Sequence, residues 1–215
     1  WSSDVCSSDL KGSCVLSIIE AAGWPIWTII LASVVSLAII FERFYSLRQS
    51  LVAPAGLLED VLNRSQAGDT RALYEQLVNG APLARILAAG LKNQRASREV
   101  MKEAIEEAGR VVAHELERFL TTLGTIAAMA PLLGLLGTVV GMIELFGASS
   151  PTGTNPQQLA HGISVALYNT AFGLVVAIPS MIFYRHFRAK VDALLVTMEQ
   201  QAIHLVDVVH GDRDR

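Results

Sequence analysis

The sequence predicts an all-α integral membrane protein: three transmembrane helices with long cytoplasmic helical extensions, in an N-out/C-in topology. Three observations carry this. The chain is 52% hydrophobic and only 17% charged, with a mean hydropathy of +0.42, more apolar than an ordinary soluble domain of this length. Three stretches are long enough to cross a bilayer, which takes about 20 apolar residues. The forty residues from Leu145 to Tyr184 contain no Asp, Glu, Lys or Arg.

The elements follow in order. Trp1–Leu10 is Ser-rich, lacks an initiating Met and does not continue into the pattern after it. It reads as a non-native or disordered segment and is set aside, with the natural start expected elsewhere. Residues 11–22 form a short periplasmic segment. The first span is 23–41, charge-free from Ala21 to Phe41, with Pro25 suited to a first helical turn. Trp24 and Trp27 at one end, and Phe41, Phe44 and Tyr45 at the other, fit interfacial aromatic belts. A cytoplasmic helical domain, 42–118, follows; Asn79-Gly80-Ala81-Pro82 marks a turn within it, and Ser97 before Glu99 and Val100 marks a helix start. The second span, 119–144, has no breaker between it and the run Val100, Ile105, Val111/Val112, Leu116, Phe119. One helix should therefore leave the membrane and continue for about 30 Å. A periplasmic loop, 145–161, and the third span, 162–184, come next, with His161 expected to cap the outer end of that span. The tail, 185–215, carries Val191, Leu194/Leu195, Met198, Ala202, Leu205 and Val209 at helical spacing. Protruding helices with apolar stripes need partners, and self-association is the economical expectation. Pro131 and Pro179 should kink or loosen their helices.

Orientation rests on the basic residues. Of 17 Lys and Arg, one (Lys11) precedes the first span, eleven lie in Glu42–Arg118, none lies between the second and third spans, and five follow Tyr184. The positive-inside rule places the central segment and the tail in the cytoplasm.

Several function classes fall away. A net charge of −3 gives no basic surface for nucleic acid. Cys6 and Cys14 offer neither a disulfide framework nor zinc spacing, and the five histidines lack metal-ligand spacing. No phosphate-binding loop, nucleophile elbow or zincin motif is present. The expectation is a non-enzyme with no catalytic residues, cofactor or metal.

The third span is two-faced. Advancing about 100° per residue, Gly162, Ala166, Asn169, Thr170, Gly173, Ala177 and Ser180 share one sector. Leu167, Tyr168, Leu174, Val175, Ile178 and Ile182 lie opposite. Large residues meet membrane lipid, and small ones let a neighbouring backbone approach. The polar members mark either a helix–helix seam or a path through the bilayer.

In the second span Ala130-Pro131-Leu132-Leu133-Gly134-Leu135-Leu136-Gly137-Thr138-Val139-Val140-Gly141-Met142 resembles the signature of the MotA/TolQ/ExbB proton-channel family. The run from Gly162 to Pro179 matches the companion motif, and the three-span plan is similar to the ExbB/TolQ branch. The resemblance covers about Ser13 to His210. It implies a homo-oligomer, a pentamer, in the bacterial inner (cytoplasmic) membrane around a single-span ExbD/TolR-like partner whose membrane Asp takes and releases protons. It further implies energising of TonB-dependent outer-membrane transport, with a TonB-like protein as a further partner. A TolQ-like role in envelope integrity and a non-conducting membrane scaffold are the alternatives.

The family's pore-facing threonines map onto Thr138 and Thr170. Ala130, Gly134, Gly137 and Gly141 share one face of the second helix with Thr138 at its edge. Each threonine either serves a partner carboxylate or water, or bonds its own i−4 carbonyl. Asn169 is either pore-lining or an interhelical hydrogen-bonding group. Glu144 is an outer pore mouth or a hydrated carboxylate at a helix end. At Val165 many ExbB and TolQ proteins carry Glu, so a proton-relay role for that residue does not carry over.

Overall fold

The computed structural model describes residues 24–66, 70–147 and 156–211. Its elements are α1 (Pro25–Ser46), α2 (Gln49–Val52), α3 (Leu57–Gln66), α4 (Thr70–Val78), α5 (Pro82–Lys92), α6 (Arg98–Gly147) and α7 (Pro156–Val209). All are helical. Three of them, α1, α6 and the part of α7 from Gly162 onward, are long and apolar enough to cross a membrane.

The helices outrun the spans read from hydropathy. α1 begins at Pro25, whose missing N–H costs nothing in a first turn, and continues to Ser46. α6 runs unbroken for 50 residues and α7 for 54, so the expected loop at 145–161 is helical at both of its ends. His161 lies inside α7 rather than at its cap, since the helix starts at Pro156; its side chain and that of Val165 are outside the described residues, as are residues 1–23. Pro131 and Pro179 sit within continuous helix. Ser97 caps α6 by accepting the Val100 N–H at 3.4 Å. The Asn79–Pro82 turn separates α4 from α5.

Two compact units make up the chain. The first contains residues 1–40 and 122–184, and the second 41–121 and 185–215. In the first unit the buried positions on α7, and most of those on the facing stretch of α6, are small or polar: Ala127, Ala130, Ala166, Asn169, Ala177 and Ser180, beside Leu123; α1 adds Ser36 with Ile26, Ile29, Ile39 and Ile40. Leu31, Leu132, Leu135, Val139, Ile143, Leu167, Leu174, Val175, Ile178 and Ile182 are exposed. Large apolar side chains left outside while small ones line the α6–α7 contact suit an apolar solvent.

The second unit packs the other way. Leu47, Leu83, Leu87, Leu91, Met101, Val112, Leu120, Val191, Met198 and Leu205 are buried, and Gly90 on α5 lies against side chains of Ile105, Met101 and Leu205. The α7 stripe read from the tail is therefore covered within the chain. Part of the α6 stripe stays open, with Val112 and Leu116 buried but Val100 and Val111 exposed.

One short segment of α6 ties three other helices together. Arg85 of α5 forks onto the Glu115 carboxylate at 2.5 and 3.0 Å. Arg43 of α1, buried, donates to the Leu116 carbonyl at 3.1 Å and to Glu42 at 2.7 Å, and Arg188 of α7 lies 3.8 Å from Glu117. Further along, Arg98 and Asp207 pair at 2.8 Å. The Arg85 hydrogen bond holds the Glu115 carboxyl below its ordinary value, against a smaller opposing push from burial.

Two outcomes test this unit. Leu87→Ala should lower stability by about 2–5 kcal/mol, because a fully buried leucine leaves a cavity, whereas the exposed Val100→Ala should change it little; thermal unfolding in detergent measures both. The depressed Glu115 carboxyl stabilises the fold at neutral pH, and that contribution is lost as pH falls through the range below 4.5. The pair is solvent-exposed, so Glu115→Gln should cost less than about 1 kcal/mol at pH 7, and progressively less as the pH is lowered below 4.5.

Candidate functional site

The small-residue faces of α6 and α7 meet within one chain. A side chain added at Gly134 would stand 2.8 Å from the Asn169 carbonyl oxygen and 3.0 Å from the Thr170 Cα. One added at Gly173 would stand 2.6 Å from the Ala130 carbonyl oxygen and 3.1 Å from the Gly134 Cα. These are backbone neighbours that cannot swing aside, so glycine at both positions is what lets the two helices touch. At Gly137 the added atom would press on the Asn169 side chain at 2.8 Å, and at Gly141 it would meet the Ala166 Cβ at 3.3 Å. Gly162 closes the row against the Leu145 side chain.

This approach brings Thr138 and Thr170 together. Their hydroxyl oxygens are 2.5 Å apart. The Thr138 Oγ1 also lies 3.2 Å from the Gly134 and Ala166 carbonyl oxygens, and the Thr170 Oγ1 lies 3.2 Å from the Gly134 carbonyl oxygen. Back-bonding to the i−4 carbonyl and bonding across the seam thus coexist at Thr138. The two hydroxyls carry two protons between them. If Thr170 donates to Thr138, the Thr138 proton can go to the Gly134 or the Ala166 carbonyl; if Thr138 donates, the Thr170 proton has the Gly134 carbonyl, so either way the pair has more acceptors than protons. Both threonines are half-buried, while Asn169 is fully buried on the same seam.

Glu144 is exposed near the last turns of α6, apart from this cluster by about one and a half turns. Among the described residues no group of three His, Cys, Asp or Glu could hold a metal ion.

A second hydroxyl pair joins α1 to α7. Ser36 and Ser180 Oγ atoms are 2.6 Å apart and buried, and Ser180 donates to the Val176 carbonyl at 2.7 Å. With that proton committed, Ser36 donates to Ser180. The sequence reading put Ser180 on the polar stripe but passed over Ser36; its signal was a small polar residue inside an otherwise apolar span, which points to a buried partner. The sequence assigns no role to Arg43, whose partners Leu116 and Phe119 lie more than seventy residues away.

The region from 79 to 200 matches the model of the MotA/TolQ/ExbB proton channel family. The chain is 35% identical to an ExbB-like biopolymer transport protein of Synechocystis over 161 residues, 73% of this chain and 77% of that one. It is 31% identical to the biopolymer transport protein ExbB of Salmonella typhimurium over 196 residues, 86% of this chain and 80% of that one. It is also 31% identical to the Tol-Pal system protein TolQ of Pseudomonas aeruginosa over 185 residues, 78% of each.

The seam predicts a cross-link. With Cys6 and Cys14 replaced by Ser, Gly141→Cys combined with Ala166→Cys should form a disulfide, because the two Cβ atoms fall close to the spacing a disulfide needs. Non-reducing electrophoresis should show a faster-running single chain; a covalent dimer would assign the seam to two copies instead.

Proposed function

The chain belongs to the MotA/TolQ/ExbB proton channel family, and from that premise we propose that it is an inner-membrane subunit coupling proton flow to work on a single-span partner. In this reading it spans the membrane three times, with residues 42–118 and 185–215 in the cytoplasm. Several copies, a pentamer, surround an ExbD/TolR-like partner that carries a titratable carboxylate.

The observation that supports this reading best is the Thr138–Thr170 hydroxyl pair. It sits half-buried on helices whose other faces are apolar, with more acceptors than protons. A carboxylate brought near it can accept one hydroxyl proton while the helix carbonyls keep their backbone partners. Burying a charged carboxylate at the bilayer centre costs about 2.5–3.5 kcal/mol on insertion scales, and a ring of such hydroxyls offsets part of that cost. Asn169 holds the seam beneath the pair, and Glu144 stands as an outer, hydrated carboxylate.

Within the family, energising TonB-dependent transport is the leading role. The similarity to a protein named for the Tol-Pal system keeps the envelope role as the second reading. A non-conducting scaffold is the third, favoured by one observation: the two hydroxyls satisfy each other inside one chain.

Thr→Val separates conduction from packing, since it keeps volume and branching and removes the hydroxyl. Thr138→Val with Thr170→Val should assemble and bind the partner yet lose at least about 90% of gradient-driven activity, with Thr→Ser largely active and Glu144→Gln milder. Full activity in the double valine variant would remove the hydroxyl mechanism and leave helix packing as the role of this seam. For topology, with Cys6 and Cys14 replaced by Ser, a cysteine at Thr154 should label with an impermeant maleimide in intact cells, and one near Gly90, at the exposed Lys92, should not.

A further inference from the structure

The second unit carries a cationic feature that its own ion pairs do not absorb. The Phe119 ring has the Arg43 guanidinium 4.8 Å and the Arg118 guanidinium 4.7 Å from its centre. The two cations are thus within about 10 Å of each other, roughly one Debye length at 0.1 M salt. Arg43 is buried and neutralised by Glu42. Arg118 is exposed, and among the described residues no carboxylate pairs with it. Its helix neighbours Glu115 and Glu117 are directed to Arg85 and Arg188.

Stacking on the ring restrains the Arg118 guanidinium, and the residue stays exposed to the surroundings. On α1, Arg43 is flanked in sequence by exposed aromatics, Phe41, Phe44 and Tyr45. Arg48 is likewise laid over Tyr45 at 5.3 Å without a carboxylate partner among the described residues. A fixed, unneutralised guanidinium beside exposed aromatic rings, where α1 and α6 turn from apolar to charged sequence, matches a phosphate above acyl chains. A carboxylate-bearing protein surface would match the charge but not the apolar surroundings.

We propose that Arg118, held on Phe119 and backed by Arg43, is a docking site for the headgroup phosphate of an anionic phospholipid. The site rests on the membrane-spanning reading. Charge supplies the preference for an anionic over a zwitterionic headgroup, and the planar fork supplies bidentate contact to phosphate oxygens.

The test reconstitutes the full chain into nanodiscs holding equal amounts of phosphatidylglycerol and phosphatidylcholine, then counts retained lipids by native mass spectrometry. Wild type should retain phosphatidylglycerol preferentially. Arg118→Gln should reduce that preference roughly fivefold, the effect of one cation at a membrane surface. Arg118→Lys should keep part of it, and Arg95→Gln, a control at an exposed arginine outside the cluster, should keep all of it. Equal retention of both lipids by wild type, or an unchanged preference in Arg118→Gln, would overturn the site. So would displacement by millimolar inorganic phosphate, which would make it a free-anion site. Extraction of the chain from vesicles by alkaline carbonate would instead sink the membrane-spanning reading, an outcome separable from loss of lipid preference.

Discussion

Everything else in the first unit depends on the backbone contact between α6 and α7 at Gly134 and Gly173. Neither position has room for one more carbon, and only this proximity puts the Thr138 hydroxyl in reach of both Thr170 and the Ala166 carbonyl. In water such a contact would be weak, because it buries little apolar area. In an apolar solvent the balance changes. Large side chains gain nothing from leaving lipid, so close van der Waals packing and interhelical hydrogen bonds decide which faces meet. The glycines supply the first and the hydroxyls the second.

The second unit obeys the opposite rule with the same two helices. Beyond Thr121 in one direction and Tyr184 in the other, α6 and α7 exchange small inward residues for Leu, Met, Val and Phe. The segment from Glu115 to Phe119 organises the polar contacts there. It offers carboxylates to α5 and α7, and a carbonyl and a ring to Arg43 of α1. Burying Arg43 is tolerable because its guanidinium finds an acid, a carbonyl and an aromatic face together.

Much of this was legible in the chain. The seven-residue small and polar stripe on α7 and the glycine row on α6 follow from helical periodicity, and the model shows both facing inward. The Asn79–Pro82 turn and the Ser97 cap were readable because each is local chemistry. What periodicity cannot supply is the identity of the opposing surface. The stripe at Val191, Leu194, Met198 and Leu205 is apolar whatever covers it, and only the structure shows that it is buried within the chain, with Leu205 against Gly90 of α5. Ser36 was illegible for the same reason: a single hydroxyl in an apolar run gains meaning only once Ser180 is found 144 residues away. The length of the helices was under-read because hydropathy marks where a segment is apolar, not where its backbone stops.

The order in which the second core is threaded has a consequence for biogenesis. Its walls come from Leu47–Leu120 and from Phe187–Leu205, two stretches separated in the chain by both of the later apolar segments. If those segments enter a bilayer, the water-side core cannot close as the ribosome delivers its first half. Leu83, Leu87 and Leu91 must wait, exposed, until the last span has been inserted and the α7 tail has emerged. Until then the nascent chain presents an unfinished hydrophobic surface to water. A chaperone, or the insertion machinery itself, then has a window in which to guard it.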